Sequence, residues 1–161
     1  MCVILPKVVH VGKEYTMNVK IKLCHPLAKL PFRADPGSSG YDLYAVEAGV
    51  LYPGSVTAIS TGLSMEIPPG YEVQIRPRSG LALKEGVVVV NSPGTVDASF
   101  RGTVKAILTT IAAHPYGFMI NPGDRIAQMV IQKLPDIGIE LTTDELSETS
   151  RGEGGFGSSG T

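Results

Sequence analysis

Glycine and proline recur along this chain at intervals that are too short for most helices. The 161 residues include 19 glycines and 12 prolines, and both residue types interrupt regular helices. The segments between them are apolar, β-branched and of strand length. They lie at 19–23, 56–59, 71–75, 87–90, 103–108 and 126–131. The pattern predicts an all-β sandwich or barrel built from short antiparallel strands.

One segment departs from this pattern. Residues 79–86, SGLALKEG, start with a residue type that commonly caps helices, continue with helix formers and end at a glycine. We therefore predict a single short helix, with Ser79 as its N-cap. The backbone amides at the start of such a helix favour an anion.

Composition and charge exclude several classes of function. The 14 Lys and Arg residues against 15 Asp and Glu give a net charge of −1, so bulk charge does not favour nucleic acid or an anionic membrane. The apolar runs, such as 87–90, are far shorter than the roughly 20 residues of a membrane-spanning helix. We see no secretory signal, and two cysteines, Cys2 and Cys24, form no disulfide framework or metal-ligand spacing. An intracellular protein is expected, cytoplasmic or nuclear, or in the host cell if the protein is viral.

The chain divides into four stretches. We assign residues 1–18 to an N-terminal lead, 19–135 to the β domain, 136–150 to a solvated connector and 151–161 to a glycine-rich tail. The tail contains a literal GxGxxG, but it lacks the strand and helix that a dinucleotide site requires. It is either a disordered tail or a flexible lid, in which Arg151 binds phosphate and Phe156 stacks on a base.

Two aspartates stand in loops that suit catalysis. Asp97 lies in NSPGTVDASFRG (91–102), which reads as a hairpin or wide loop. It either caps a turn or forms a partly buried carboxylate that deprotonates a water molecule. Asp42 ends the small-residue loop PGSSGYD, which is either a flexible hairpin or a holder of metal-bound water. Phosphate-loop, serine-elbow and zinc-hydrolase motifs are absent from the sequence.

Five segments in this order resemble the trimeric deoxyuridine triphosphate nucleotidohydrolases, the dUTPase family. They are PGSSGYDLYA, RPRSGLALK, NSPGTVDASFRGTVK, NPGDRIAQMVI and RGEGGFGSSG. The resemblance covers most of residues 19–161. It implies a jelly-roll-like β domain, a homotrimer with three shared active sites, and Mg²⁺ with the triphosphate. The implied reaction is hydrolysis of dUTP to dUMP and pyrophosphate, which keeps uracil out of DNA and supplies dUMP for thymidylate synthesis.

The resemblance also implies roles for individual residues. Asp97 corresponds to the carboxylate that activates the attacking water, and Asp42 to the aspartate that holds Mg²⁺ through water. The residues implied to bind the phosphates are Arg78, Ser79, Gly80, Gln128, Arg151 and Ser158. Those implied to bind uracil and deoxyribose are Asn91, Gly94, Thr95, Val96, Ala98, Phe100 and Phe156.

Two positions depart from the family pattern. Phe100 stands where tyrosine is common, so the ring under the deoxyribose is kept and its hydroxyl is lost. Ser99 stands where many members have a second acid. Two alternatives remain open at this point: a dCTP deaminase of the same fold, and a nucleotide-binding regulatory protein.

Overall fold

The computed structural model describes residues 17–155, which form ten strands and one helix. The lead therefore lies outside the described residues except for Met17 and Asn18. In chain order the elements are β1 (Lys20–Leu23), β2 (Tyr41–Tyr44), β3 (Gly49–Leu51), β4 (Thr57–Glu66), β5 (Tyr71–Arg76), α1 (Ser79–Glu85), β6 (Val87–Val89), β7 (Gly94–Val96), β8 (Val104–Thr110), β9 (Phe118–Ile120) and β10 (Arg125–Lys133).

The strands form two four-stranded sheets and one two-stranded ribbon. Their strand orders are β1-β4-β8-β6, β2-β10-β5-β7 and β3-β9, and every pairing between these strands is antiparallel. The predicted all-β, jelly-roll-like class is confirmed. The described residues contain one short helix, α1, as predicted. No helix in residues 17–155 is long and apolar enough to cross a membrane.

The core lies between the inward faces of the two sheets. In β8 every second residue is buried, from Val104 to Thr110, as expected for a strand with one face on the core. Leu43, Ile59 and Leu108 are 2% exposed or less. The buried Thr61 hydroxyl donates to the Val104 carbonyl oxygen at 2.7 Å, so its polar group is satisfied inside the core.

Three details differ from the sequence prediction. Ser79 is the first helical residue and not the N-cap; Arg78 takes the cap position, and no side chain caps the helix. The strands β2, β3 and β9 were not predicted, because alternation does not identify strands of three or four residues; the equally short β1 and β6 were predicted from their apolar, β-branched segments. Residues 91–102 do not form a simple hairpin between β6 and β8. They contain β7, which pairs with β5 in the sheet β2-β10-β5-β7, whereas β6 and β8 belong to the other four-stranded sheet. The Ser92–Pro93 peptide bond before β7 is cis.

The connector 136–150 contains no helix or strand, and all its residues are exposed. Ile139 and Leu141 are almost fully exposed. They are part of an alternating run with Ile137, a pattern that is typical of a strand with one apolar face. The predicted boundaries of the stretches remain predictions.

Gly62 holds a bend in β4 where the pairing with β8 shifts register between Ser60 and Leu63. Its φ is +66°, and an added Cβ would lie 2.8 Å from His25 Cβ and 2.9 Å from Val46 Cγ1. A positive φ strains any residue with a Cβ. Gly62 is therefore required both by its backbone conformation and by its neighbours.

Gly62→Ala should lower the free energy of unfolding by about 2–4 kcal/mol, because backbone strain and overpacking both contribute. Gly70→Ala is the matched control: its φ is +79°, but no atom lies within 4 Å of an added Cβ. The control should lose only the strain contribution, about 1 kcal/mol. Chemical denaturation at one fixed protein concentration measures both values. Equal losses in the two variants would contradict the packing argument.

Candidate active site

Asp42 on β2 lies between two arginines from other parts of the chain. Its Oδ1 accepts a hydrogen bond from Arg78 Nε at 2.8 Å, and its Oδ2 accepts one from Arg125 Nη1 at 3.1 Å. The Asp42 side chain is 19% exposed. Since two guanidinium groups face one carboxylate, this cluster keeps a net positive charge, which favours an anionic ligand.

Gln128 lies beside this cluster in the same sheet. In the strand register it faces Asp42 on one side and Arg76 on the other. Its Nε2 donates to the Pro77 carbonyl oxygen at 2.8 Å. A Cβ added at Gly40 would overlap Gln128 Oε1 and lie 2.8 Å from Cδ. The Gln128 amide is thus held between the Gly40 backbone and the Pro77 carbonyl, where it connects the loop before β2 to the loop before α1.

Ser79 and Gly80 are exposed at the start of α1, directly after Arg78. The Arg78 carbonyl oxygen accepts the Ala82 amide at 2.9 Å, so the first turn of the helix is attached to the Asp42 cluster through Arg78. The structure therefore brings Asp42, Arg78, Ser79, Gly80 and Gln128 to one end of the sheet β2-β10-β5-β7.

A second group of predicted residues surrounds a separate cavity of about 310 Å³. This volume is at the lower end for small-molecule sites. Of the predicted residues, Asn91, Gly94, Thr95, Val96, Asp97 and Phe100 line it. The predicted Ala98 does not line it. In the single chain the Asp97 side chain is exposed, so the partly buried carboxylate expected from the sequence is not observed there.

The register of the sheet separates the two groups of residues. β7 runs antiparallel to β5, with Gly94 opposite Ile75 and Val96 opposite Val73. Asp97 therefore leaves the sheet at the level of Glu72, about 13 Å along β5 from Arg76. Asp42 lies at the level of Arg76, three strands away from β7, which adds about 14 Å across the sheet.

These two offsets combine to a separation of roughly 19 Å between Asp97 and Asp42. A general base acts only within about 3 Å of the proton that it removes. One chain therefore does not bring Asp97 and the Asp42 cluster to the same phosphorus atom.

Two residues near these groups were missed by the sequence prediction. Arg125 contacts Asp42 directly, and its position at the turn before an apolar strand is the only sequence signal for it. Lys105 lines the same cavity as Asp97. The alternation of 103–108 could have placed Lys105 on the outward face of its strand.

Among the predicted tail residues, only Arg151 falls within the described range. It is exposed, and its Nε donates to the Gly154 carbonyl oxygen at 2.7 Å. It lines neither the Asp97 cavity nor the cavity beside Arg78 and Arg125. Phe156 and Ser158 lie outside the described residues, so their roles remain predictions.

The dUTPase family model matches residues 27–160. The chain belongs to the dUTPase family. It is 48% identical over 147 residues to the deoxyuridine 5'-triphosphate nucleotidohydrolase of Syntrophotalea carbinolica. The aligned region covers 90% of this chain and 98% of that protein. The resemblance stated from the sequence is confirmed, and this match favours a dUTPase over a dCTP deaminase.

Two solved structures of family members share the fold. One is a variant of the Staphylococcus bacteriophage 80alpha dUTPase with dUpNHpp, with a TM-score of 0.79, 26% identity, and coverage of 91% of this chain and 100% of that one. The other is a variant of the dUTPase of phage phi11 of S. aureus, described with a structural Mg(II) ion. It has a TM-score of 0.74 and 23% identity, and covers 81% of this chain and 100% of that one.

Gly40→Ala should displace the Gln128 amide and break its hydrogen bond to Pro77, at a cost of about 1–3 kcal/mol from overpacking. Gly37→Ala in the same loop is the control, because its added Cβ would meet only the Asp35 carboxylate, at 3.0 Å. Thermal unfolding measures both variants. The double variant Gly40→Ala/Gln128→Ala should regain part of the lost stability, since the side chain that obstructs the new methyl group is shortened.

If the double variant is as unstable as the sum of the two single variants, Gly40 and Gln128 are not coupled. That result would contradict the contact described above.

Proposed function

We propose that this chain hydrolyses dUTP to dUMP and pyrophosphate by attack of water on the α-phosphorus. The observation that carries the proposal is that Asp97, Asn91 and Phe100 line one cavity in a chain of the dUTPase family. The cavity offers an amide and backbone groups for a base, an aromatic ring for a sugar and a carboxylate for a water molecule.

The β7 segment suits recognition of uracil. Uracil presents acceptor, donor and acceptor along one edge, and the backbone from Gly94 to Ala98 with the Asn91 amide supplies complementary groups. A Cβ added at Gly94 would lie 3.1 Å from Asn91 Nδ2, so the Asn91 amide lies close to the backbone that would meet the base. Cytosine would leave these groups unsatisfied, and such mismatches support discrimination of about 10⁴–10⁵.

In the proposed reaction the Asp97 carboxylate accepts a proton from water as the water oxygen attacks the α-phosphorus. The bond from that phosphorus to the bridging oxygen breaks, and pyrophosphate leaves. Arg78, Ser79 and the first amides of α1 hold the phosphate chain, and Arg151 in the tail closes on the terminal phosphate. Closing the tail with Phe156 over the base also excludes bulk water.

The residues present fit Mg²⁺ only as an ion held largely by water and phosphate. Both Asp42 oxygens already accept hydrogen bonds from arginines, and residues 17–155 contain no group of three or more metal-ligating side chains. Mg²⁺ commonly keeps several waters and binds through one carboxylate and substrate phosphates. Bound in this way, the ion would neutralise phosphate charge, while Asp42 would orient its water ligands.

We further propose that the chain acts as a homotrimer with shared sites. The support is the separation of roughly 19 Å between Asp97 and Asp42 within one chain. In the proposed assembly, β7 of a second chain lies next to α1 of the first chain, which brings the two groups of residues together. The exposed alternating residues Ile137, Ile139 and Leu141 supply apolar area for such an assembly. An intracellular location, cytoplasmic or nuclear, is part of the same proposal.

Asp97→Asn should lower kcat for dUTP by about 10²-fold or more, because the amide no longer accepts a proton from water. Affinity for a non-hydrolysable dUTP analogue should change little. Pyrophosphate release and calorimetric titration measure the two quantities, and Asp136→Asn, an exposed aspartate outside the site, is the control. Full activity of Asp97→Asn would place the base elsewhere.

The same assay separates the alternatives. Ammonia release from dCTP would indicate a deaminase, and dUTP binding with Mg²⁺ but without pyrophosphate release would indicate a regulatory protein.

Co-assembly of two inactive variants tests the shared site. Asp97→Asn and Ser79→Ala should each have low activity alone. When the two chains are mixed at equal amounts, unfolded and refolded together, about a quarter of the shared sites should combine an intact Asp97 with an intact Ser79. Activity should recover accordingly. A mixture no more active than its parents would show that both residues serve a site within one chain.

A further inference from the structure

The Phe100 ring forms one side of the Asp97 cavity and is 44% exposed. Under the proposed function this ring packs against the deoxyribose. A hydroxyl on the phenyl ring is absent in this chain, so no hydrogen bond from the ring tip holds it in place. Its position must therefore come from packing against neighbouring groups.

Gly102, two residues later, provides that packing. A Cβ built on Gly102 would lie 2.6 Å from Phe100 Cζ, 3.0 Å from Cε2 and 3.4 Å from Cε1. The outer edge of the ring thus occupies the space that a Cβ at position 102 would need. Gly102 does not have a positive φ, so its backbone conformation does not require glycine. The requirement arises from the space that the ring occupies.

The backbone on both sides of the ring is fixed by hydrogen bonds. The Phe100 amide donates to the Asp97 carbonyl oxygen at 3.1 Å. Arg101 Nη1 donates to the carbonyl oxygens of Ala98 at 2.6 Å and Phe100 at 2.8 Å, and the Ser64 hydroxyl on β4 donates to the Arg101 carbonyl oxygen at 2.7 Å. When atoms are added at Gly102, the ring therefore moves more readily than the backbone.

We propose that Gly102 is a specificity-determining positioning residue, which sets the height of the Phe100 ring under the sugar and thereby the exclusion of a 2′-hydroxyl. This inference rests on the proposed function. Gly102 itself does not touch the substrate; it acts through Phe100. A methyl group at position 102 lifts the ring off the α-carbon and changes the space left beside the 2′-carbon.

The test compares dUTP with UTP in Gly102→Ala. The ratio of kcat/KM for dUTP to kcat/KM for UTP should change by about 10-fold or more, because a displacement of about 1 Å in a positioning group can cost up to 10²-fold. Ser99→Ala, an exposed position in the same turn, should keep the wild-type ratio. Thermal unfolding of each variant verifies that it is folded.

A double-variant cycle separates an effect through the ring from any other effect. Phe100→Ala should lower the dUTP/UTP ratio by itself. The double variant Phe100→Ala/Gly102→Ala should have the same ratio as Phe100→Ala, since the group that the new methyl displaces is gone. The double variant also lacks the clash, so it remains informative even if Gly102→Ala alone does not fold.

Two results would overturn the inference: an unchanged dUTP/UTP ratio in Gly102→Ala, or a further loss of the ratio in the double variant beyond that of Phe100→Ala. Nuclear Overhauser contacts between the Gly102 α-protons and the Phe100 ring protons test the packing without any nucleotide, and their absence in the wild type also overturns it. If the wild type hydrolyses neither nucleotide, the proposed function fails. The binding ratio of non-hydrolysable dUTP and UTP analogues then replaces the rate ratio.

Discussion

The interaction of Asp42 with Arg78 and Arg125 is the constraint on which this end of the sheet β2-β10-β5-β7 depends. It joins three parts of the chain that are distant in sequence: β2, the start of β10 and the start of α1. The Asp42 amide also donates to the Phe32 carbonyl oxygen at 2.9 Å, so the loop before β2 is fixed as well. Two guanidinium groups held by one carboxylate are preorganised for an anion, because their positions do not have to be found during binding.

The antiparallel register determines how the site can be completed. β7 pairs with β5 in the opposite direction, so the residue that follows β7 and the residues that follow β5 leave the sheet at opposite ends. No rotamer change of Asp97 spans roughly 19 Å. The exposure of Asp97 in one chain and its distance from the Asp42 cluster are the observations on which the proposal of a shared site rests.

The sequence predicted the fold where the strands are long enough to alternate. β5 and β8 were recognised because alternation over six or more residues is specific. The chain passes from β6 in one sheet to β7 in the other. This change of sheet depends on the pairing of β7 with β5, a long-range contact that no local pattern encodes. The same reason applies to the candidate site: Asp42 and Asp97 were predicted from motifs, but the distance between them follows from strand register. Arg125 was missed because a charged residue at a turn is ordinary until its partner is known.

Glycines in this chain are required for two different physical reasons, which the sequence alone does not distinguish. Gly62 and Gly86 have positive φ, so the backbone conformation favours glycine there, and neighbouring atoms also leave no room for a Cβ. Gly40 and Gly102 have no such φ; a particular side chain, Gln128 or Phe100, occupies the space of their missing Cβ. Glycines of the second kind determine the position of the side chain that packs against them. Replacement of Gly40 or Gly102 should therefore act through the displaced side chain, whereas replacement of Gly62 or Gly86 also strains the backbone.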